Sequence, residues 1–113
     1  MFFWFIKTLA QSLIPLPTTN KLYQNYPNPF NPNQEVTKIP YDLTDSARIE
    51  IKIFNIAGEL TRRIEESRIS AGSYEAIWDG RNDDNDIVSN GVYFYQLHIG
   101  GSVVGTKKIL VIK

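Results

Sequence analysis

The sequence predicts an all-β fold, a single antiparallel β-sandwich of about seven strands. Three observations carry this expectation. Polar and apolar residues alternate in several runs, most plainly in RIEIKIFN, where Ile49, Ile51 and Ile53 share one face and Arg48, Glu50 and Lys52 the other. Turn signals recur between the runs: Asp45-Ser46, Asn55 to Gly58, Ala71-Gly72, Asn90-Gly91 and Gly100-Gly101. No stretch sustains an apolar period of 3.6 residues behind a helix start signal.

Residues 1–20 stand apart from this pattern. Phe2 to Ile6 (FFWFI) is apolar but too short for a secretory leader, and no basic residues precede it. Thr8-Leu9-Ala10 makes a weak cleavage site. Pro15, Pro17, Thr18, Thr19 and Asn20 read as a linker, so residues 1–20 are expected to be a poorly ordered leader or the remnant of an upstream protein. Residues 21–113 then form the domain.

The domain opens on YPNPFNP. Pro27, Pro29 and Pro32 each fix φ and lack a donor, and each holds the preceding residue away from helix. The segment is therefore neither helix nor inner strand. It reads as a pre-stiffened lid whose aromatic residues cover core at an open edge. The first long strand is VTKIPYDL, with Ile39, Tyr41 and Leu43 on one face. Pro40 lies within it and places it at a sheet edge. The isoleucine strand follows, and ELTRRI returns from it with Leu60 and Ile64 inward. SYEAIW sets Tyr74, Ala76 and Trp78 on one face. DGRNDDND is a long polar loop. VYFYQLHI alternates Tyr93, Tyr95 and Leu97 against Phe94, Gln96 and His98, and a last strand runs from about Val103 to Ile112.

Composition narrows the function. At 113 residues with 42% hydrophobic content, the chain is long and apolar enough for one packed domain. Twelve basic and twelve acidic residues cancel, and the basic stripe of a nucleic-acid binder is missing. No run approaches the ~20 apolar residues of a membrane-spanning helix. The absence of cysteine removes disulfides, thiolate catalysis and cysteine–zinc sites.

No catalytic constellation emerges. The single histidine, His98, falls mid-strand and reads as a half-exposed structural residue. Ser67, Ser70, Ser73, Ser89 and Ser102 lack a nucleophile-elbow context, and no phosphate-binding glycine loop is present. No cofactor is expected. Asp79, Asp83, Asp84 and Asp86 form a weak Ca²⁺ candidate, since carboxylates on a loop suit a hard cation. Their spacing departs from the EF-hand loop, because Ile87 stands where glycine is needed. The competing reading makes these Asp and Asn residues turn formers. Tyr23, Tyr26 and Phe30 offer either a carbohydrate platform or a packed aromatic clamp.

The ordered series LYQNYPNPFNP, IPYDL, IEIKIFNIAGEL, AGSYEAIWDGRND, SNGVYFYQL and TKKILVIK resembles the type A C-terminal sorting domain of the type 9 secretion system of Bacteroidetes and related bacteria. It is also similar to the immunoglobulin-like domain of the flagellar hook-capping protein. The resemblance covers about Leu22 to Lys113. It matches Asn25, Pro27, Asn28, Pro29, Phe30, Asn31 and Pro32 as the lead-in motif. It matches Asn55 and Gly58 in a turn, Gly72, then Trp78, Asp79, Gly80 and Arg81 as the central signature, and Gly91, Val92, Tyr93, Phe94 and Tyr95 in the following strand. Lys107, Lys108 and Lys113 match the basic tail as sorting or recognition residues. Asn85 stands where glycine is common, and asparagine suits the same left-handed backbone.

The resemblance implies an immunoglobulin-like or fibronectin-III-like sandwich without enzymatic activity. It implies an address read by the type 9 machinery in the periplasm, which would carry a covalently attached N-terminal passenger to the surface or medium. The competing class is an extracellular structural or adhesive immunoglobulin-like module, hook-cap-like or carbohydrate-binding. Removal of Lys107 to Lys113 is expected to cost a sorting signal its function and a scaffold its stability.

Overall fold

The computed structural model describes residues 15–113, so the expectations for Phe2 to Ile6 and for Thr8 to Ala10 lie outside the described residues. Seven strands follow in chain order: β1 (Lys21–Leu22), β2 (Thr37–Leu43), β3 (Ala47–Phe54), β4 (Leu60–Ile69), β5 (Gly72–Trp78), β6 (Gly91–Ile99) and β7 (Ser102–Val111). They build a three-stranded sheet ordered β1-β2-β5 and a four-stranded sheet ordered β4-β3-β6-β7, with every pairing antiparallel. The described residues contain no helix.

The alternation in the sequence is the alternation in the core. Ile39, Tyr41 and Leu43 of β2, Ile49, Ile51 and Ile53 of β3, Tyr93, Tyr95 and Leu97 of β6, and Ile109 and Val111 of β7 are all buried between the sheets. Trp78 ends β5 in the centre of this layer. Its ring meets Phe30 at 5.5 Å and Tyr93 edge-on at 5.7 Å, and its Nε1 donates to Arg81 O at 2.9 Å. The buried indole thus keeps a partner for its one donor.

Two expectations are corrected. β2 is the central strand of its sheet, despite Pro40. Pro40 O accepts from Tyr23 N at 3.0 Å, so the backbone of Pro40 faces the β1 side. The missing N–H is lost on the side where only two β1 residues pair, and the seven-residue ladder to β5 runs on undisturbed. Leu60 is the second correction: it is 42% exposed. The register slips between Ile53 and Phe54, which pair with Arg62 and Leu60, so Thr61 bulges. One extra residue turns Leu60 to the outer face and brings Arg62 and Ile64 opposite the inward isoleucines.

Gly80 ties two distant motifs. It has φ of 76°, and a Cβ there would stand 2.3 Å from Pro32 Cβ. Its carbonyl accepts from Val88 N at 2.9 Å, closing the base of the polar loop. Only glycine permits both the left-handed backbone and this contact. Asn85 sits at φ 69°, the left-handed position expected of it.

Candidate functional site

The C-terminal strand and the proline segment form one structural unit. Phe30 N donates to Leu110 O and Ile112 N donates to Phe30 O, both at 3.0 Å, in a parallel bridge to Val111. Leu110 N donates to Asn28 Oδ1 at 2.8 Å, and Gln24 Nε2 to Lys108 O at 2.7 Å. Residues 24–30 therefore cover the outer edge of β7 from Lys108 to Ile112. The stiffness of YPNPFNP now has a use: it fixes a bent, irregular segment against an edge strand that would otherwise expose its backbone. Ser102 to Lys107 is the stretch of that edge the segment does not reach.

A small polar network anchors the segment from inside. Asn25 is buried; its Nδ2 donates to Thr37 Oγ1 at 2.8 Å and its backbone N to Tyr95 Oη at 2.9 Å. Thr37 Oγ1 donates to Pro27 O at 2.9 Å, and Tyr95 Oη donates to Tyr23 O at 2.7 Å. Backbone groups of Tyr23, Asn25 and Pro27 are thus met by side chains.

Burial pushes the Tyr95 phenol up to about 12, against the opposing effect of its backbone bond at Asn25, and burial likewise pushes Tyr41 to about 12. A raised folded-state value means that folded protein holds these protons when unfolded chain has released them. Their contribution to stability is full below pH ~10 and is lost as pH climbs toward ~12. The denaturant midpoint is therefore expected to be flat from pH 7 to 9.5 and to fall above pH 10, with Tyr95→Phe falling less steeply. Identical slopes for wild type and variant would refute this assignment.

The aromatic residues of the lead-in do not make a platform. Phe30 is 1% exposed and packed on Trp78, whereas Tyr26 is exposed and Tyr23 half-buried. Tyr26 donates to the Glu75 carboxylate, Tyr23 to Asp42 Oδ2 at 2.6 Å. The three rings split between core and surface, which is the clamp arrangement.

The aspartate loop is built from turns. Asn82 Oδ1 accepts from Asp84 N and Asp86 N, Asp79 Oδ1 from Arg81 N, and Asp83 Oδ1 from Arg63 N of β4. The loop thereby caps the start of the β4 edge. Among the described residues, no three acidic or histidine side chains converge into a metal-holding group. His98 is half-buried, its Nε2 lies 2.9 Å from Gln96 Oε1, and burial and nearby Lys52 lower its pKa.

The three tail lysines are dispersed. Lys108 pairs with Phe94 and shares its outer face, Lys107 pairs with inward Tyr95, and Lys113 lies past the strand end with its N donating to Asn90 Oδ1 at 2.8 Å. Lys108 Nζ lies 6.0 Å from the Phe94 ring centroid. Sequence reasoning missed β1, whose two residues are too few to alternate. It also missed that Phe94 and its cross-strand partner Phe54 stand side by side on the outer face, although the alternation in VYFYQLHI and RIEIKIFN contained that signal.

The model of the FlgD Ig-like domain matches residues 31–100, more than half of the chain. The chain belongs to the FlgD Ig-like domain family. Solved structures share its fold. PorZ of Porphyromonas gingivalis, described as an essential bacterial surface component of the type-IX secretion system, is 24% identical with a TM-score of 0.57, over 81% of this chain and 11% of that one. FlgD of Pseudomonas aeruginosa is 19% identical with a TM-score of 0.57, over 85% of this chain and 76% of that one. Dimeric latent PorU of P. gingivalis is 15% identical with a TM-score of 0.69, over 88% of this chain and 10% of that one. This FlgD Ig-like domain therefore spans about a tenth of PorZ and PorU, and most of the FlgD chain. No curated protein sequence matches it.

Proposed function

We propose that this FlgD Ig-like domain is a non-catalytic C-terminal sorting domain of type A. It would direct an attached N-terminal passenger through the type 9 secretion system, by way of the periplasm, to the cell surface or medium. The observation that carries the reading is the coupling of the first and last motifs of the resemblance. Asn28 and Phe30 of the lead-in hold Leu110 and Ile112 of the tail. A tail that depends on its lead-in is presented only by a folded domain, which suits an address read after folding. The description of PorZ as a component of the same type of system lends support at the level of fold. The edge from Ser102 to Lys107 lies beyond the proline segment, with Leu22 of β1 packed at Gly105, and is where an extended partner segment could add as a further strand. The second reading, a structural immunoglobulin-like module, is favoured by the likeness to FlgD over most of that chain.

Export decides between them. Residues 21–113 fused behind a periplasm-directed fluorescent protein are expected to carry it to the surface or medium of a type 9-competent bacterium. A strain lacking the system should retain it. Periplasmic retention in both strains, with the domain folded, would leave the structural module.

A further inference from the structure

The outer face of the four-stranded sheet is divided along its length, and cross-strand rows show how. Glu65, Glu50, His98 and Val103 form one row, and Arg63, Lys52, Gln96 and Thr106 the next. The third row is Leu60, Phe54, Phe94 and Lys108, and beyond it Val92 pairs with Leu110. One end of the face is thus charged and the other apolar. A groove of about 420 Å³ opens between Phe54, Ile56 and Phe94 and runs to Gln96 and Thr106 of the second row. Ile56 is 79% exposed on the adjoining turn. Scattered exposed apolar residues are ordinary, but a contiguous row with two aromatic side chains is the composition of an interface core.

The charges around the row point to what would cover it. Glu50 and Glu65, the carboxylates of this face, are held at the far end by Arg63 and Arg48 at 3.2 to 3.9 Å. Glu59, near the groove, accepts from Asn55 Nδ2 at 3.0 Å. Lys52 and Lys108 flank the aromatic pair, and among the described residues neither forms an ion pair. Lys108 at the end of the apolar row, its Nζ over the Phe94 ring, and Lys52 in the adjoining row thus bring two ammonium groups without carboxylate partners. Residues 15–20 lie elsewhere: Asn20 Oδ1 accepts from Thr44 N at 2.8 Å, and residues 15–19 lie beside Asp42 and Ser73 of the other sheet. That is the end of the sandwich opposite Phe54.

We propose that Phe54, Phe94 and Leu60, flanked by Lys52 and Lys108, form a docking surface for a partner protein presenting an apolar side chain between carboxylates. The inference rests on the sorting reading, in which that partner is a component of the export machinery. Apolar contact supplies affinity at the centre and the lysines supply orientation and encounter rate at the rim.

The test uses the same fluorescent fusion in the type 9-competent strain, with three variants beside wild type. Phe94→Ser removes the central ring. Lys52→Glu/Lys108→Glu reverses the rim and leaves the apolar row intact. Ile77→Ser, an exposed apolar residue on β5 of the other sheet, is the control. Thermal melts of the isolated domain establish that each variant folds. Export is expected to fall about tenfold or more for Phe94→Ser and for the charge reversal, the loss typical of a central anchor, and to be unchanged for Ile77→Ser. Wild-type export with both test variants exported equally well overturns the docking surface and leaves the sorting reading standing. Failure of wild-type export removes the sorting reading and this inference with it. Sedimentation and flotation exclude other occupants. A concentration-dependent dimer, or binding to phosphatidylglycerol vesicles, lost in Phe94→Ser would assign the row to a second copy or to lipid and overturn the proposal.

Discussion

Deletion of Lys107 to Lys113 is expected to unfold the domain. The deleted stretch contains Ile109 and Val111, both fully buried, and most of the β7 end that pairs with Gly91 to Tyr95. It also contains Leu110 and Ile112, to which Phe30 is bonded, so the proline segment loses its seat. Truncating one buried aliphatic side chain costs about 2–5 kcal/mol, and whole domains are stable by only about 5–15 kcal/mol. Two such side chains and their ladder together approach or exceed that margin. Circular dichroism of the truncated protein is expected to show no cooperative melt. A cooperative melt within a few degrees of wild type would show that the strand end is dispensable. The consequence bears on function: loss of export after this deletion would be seen for either reading, because no folded domain remains. Lys108→Ala and Lys113→Ala, which leave the ladder intact, are the informative substitutions.

The sandwich was legible in the sequence because its inner face is written at period two. Ile49, Ile51 and Ile53, then Tyr93, Tyr95 and Leu97, are the core residues the alternation names. The errors occurred where one residue changes the outcome. The bulge at Thr61 reverses Leu60, and nothing in ELTRRI marks it. The location of β2 turned on which side of the strand Pro40 faces, and the proline rule counts only its presence. The aspartate loop was harder still, since Asp and Asn serve cations and turns alike. Which role wins shows only once the loop is folded, with Asn82 Oδ1 closing local turns and Asp83 Oδ1 accepting from distant Arg63 N. The dispersal of the tail lysines was hidden as well: adjacent Lys107 and Lys108 point to opposite faces because a strand alternates, so a basic tail in sequence is not a basic cluster in space.

Phe30→Ala is expected to destabilise the domain by about 3–5 kcal/mol, the usual cost of emptying a large aromatic site in a core. The residue lies outside every strand, in a segment that composition alone would assign to a surface loop, yet it is 1% exposed. Its ring supports Trp78, and its backbone joins Leu110 and Ile112. Removing the ring leaves a cavity beside Trp78 and loosens the segment that seals the β7 edge, so the effect reaches the C-terminal strand as well. Tyr26→Ala is the matched control: it removes a comparable ring from the same segment where it is exposed and bonded to Glu75. That change is expected to cost no more than ~1 kcal/mol, as for an exposed hydrogen bond. Urea denaturation of the two variants separates a lid that belongs to the core from one that rests on it. A small loss for Phe30→Ala, equal to that for Tyr26→Ala, would mean that the proline segment contributes nothing to the core. With the large loss, hydrogen exchange at Leu110 and Ile112 should quicken in Phe30→Ala and stay protected in Tyr26→Ala, since only the first variant frees the edge that these two amides occupy.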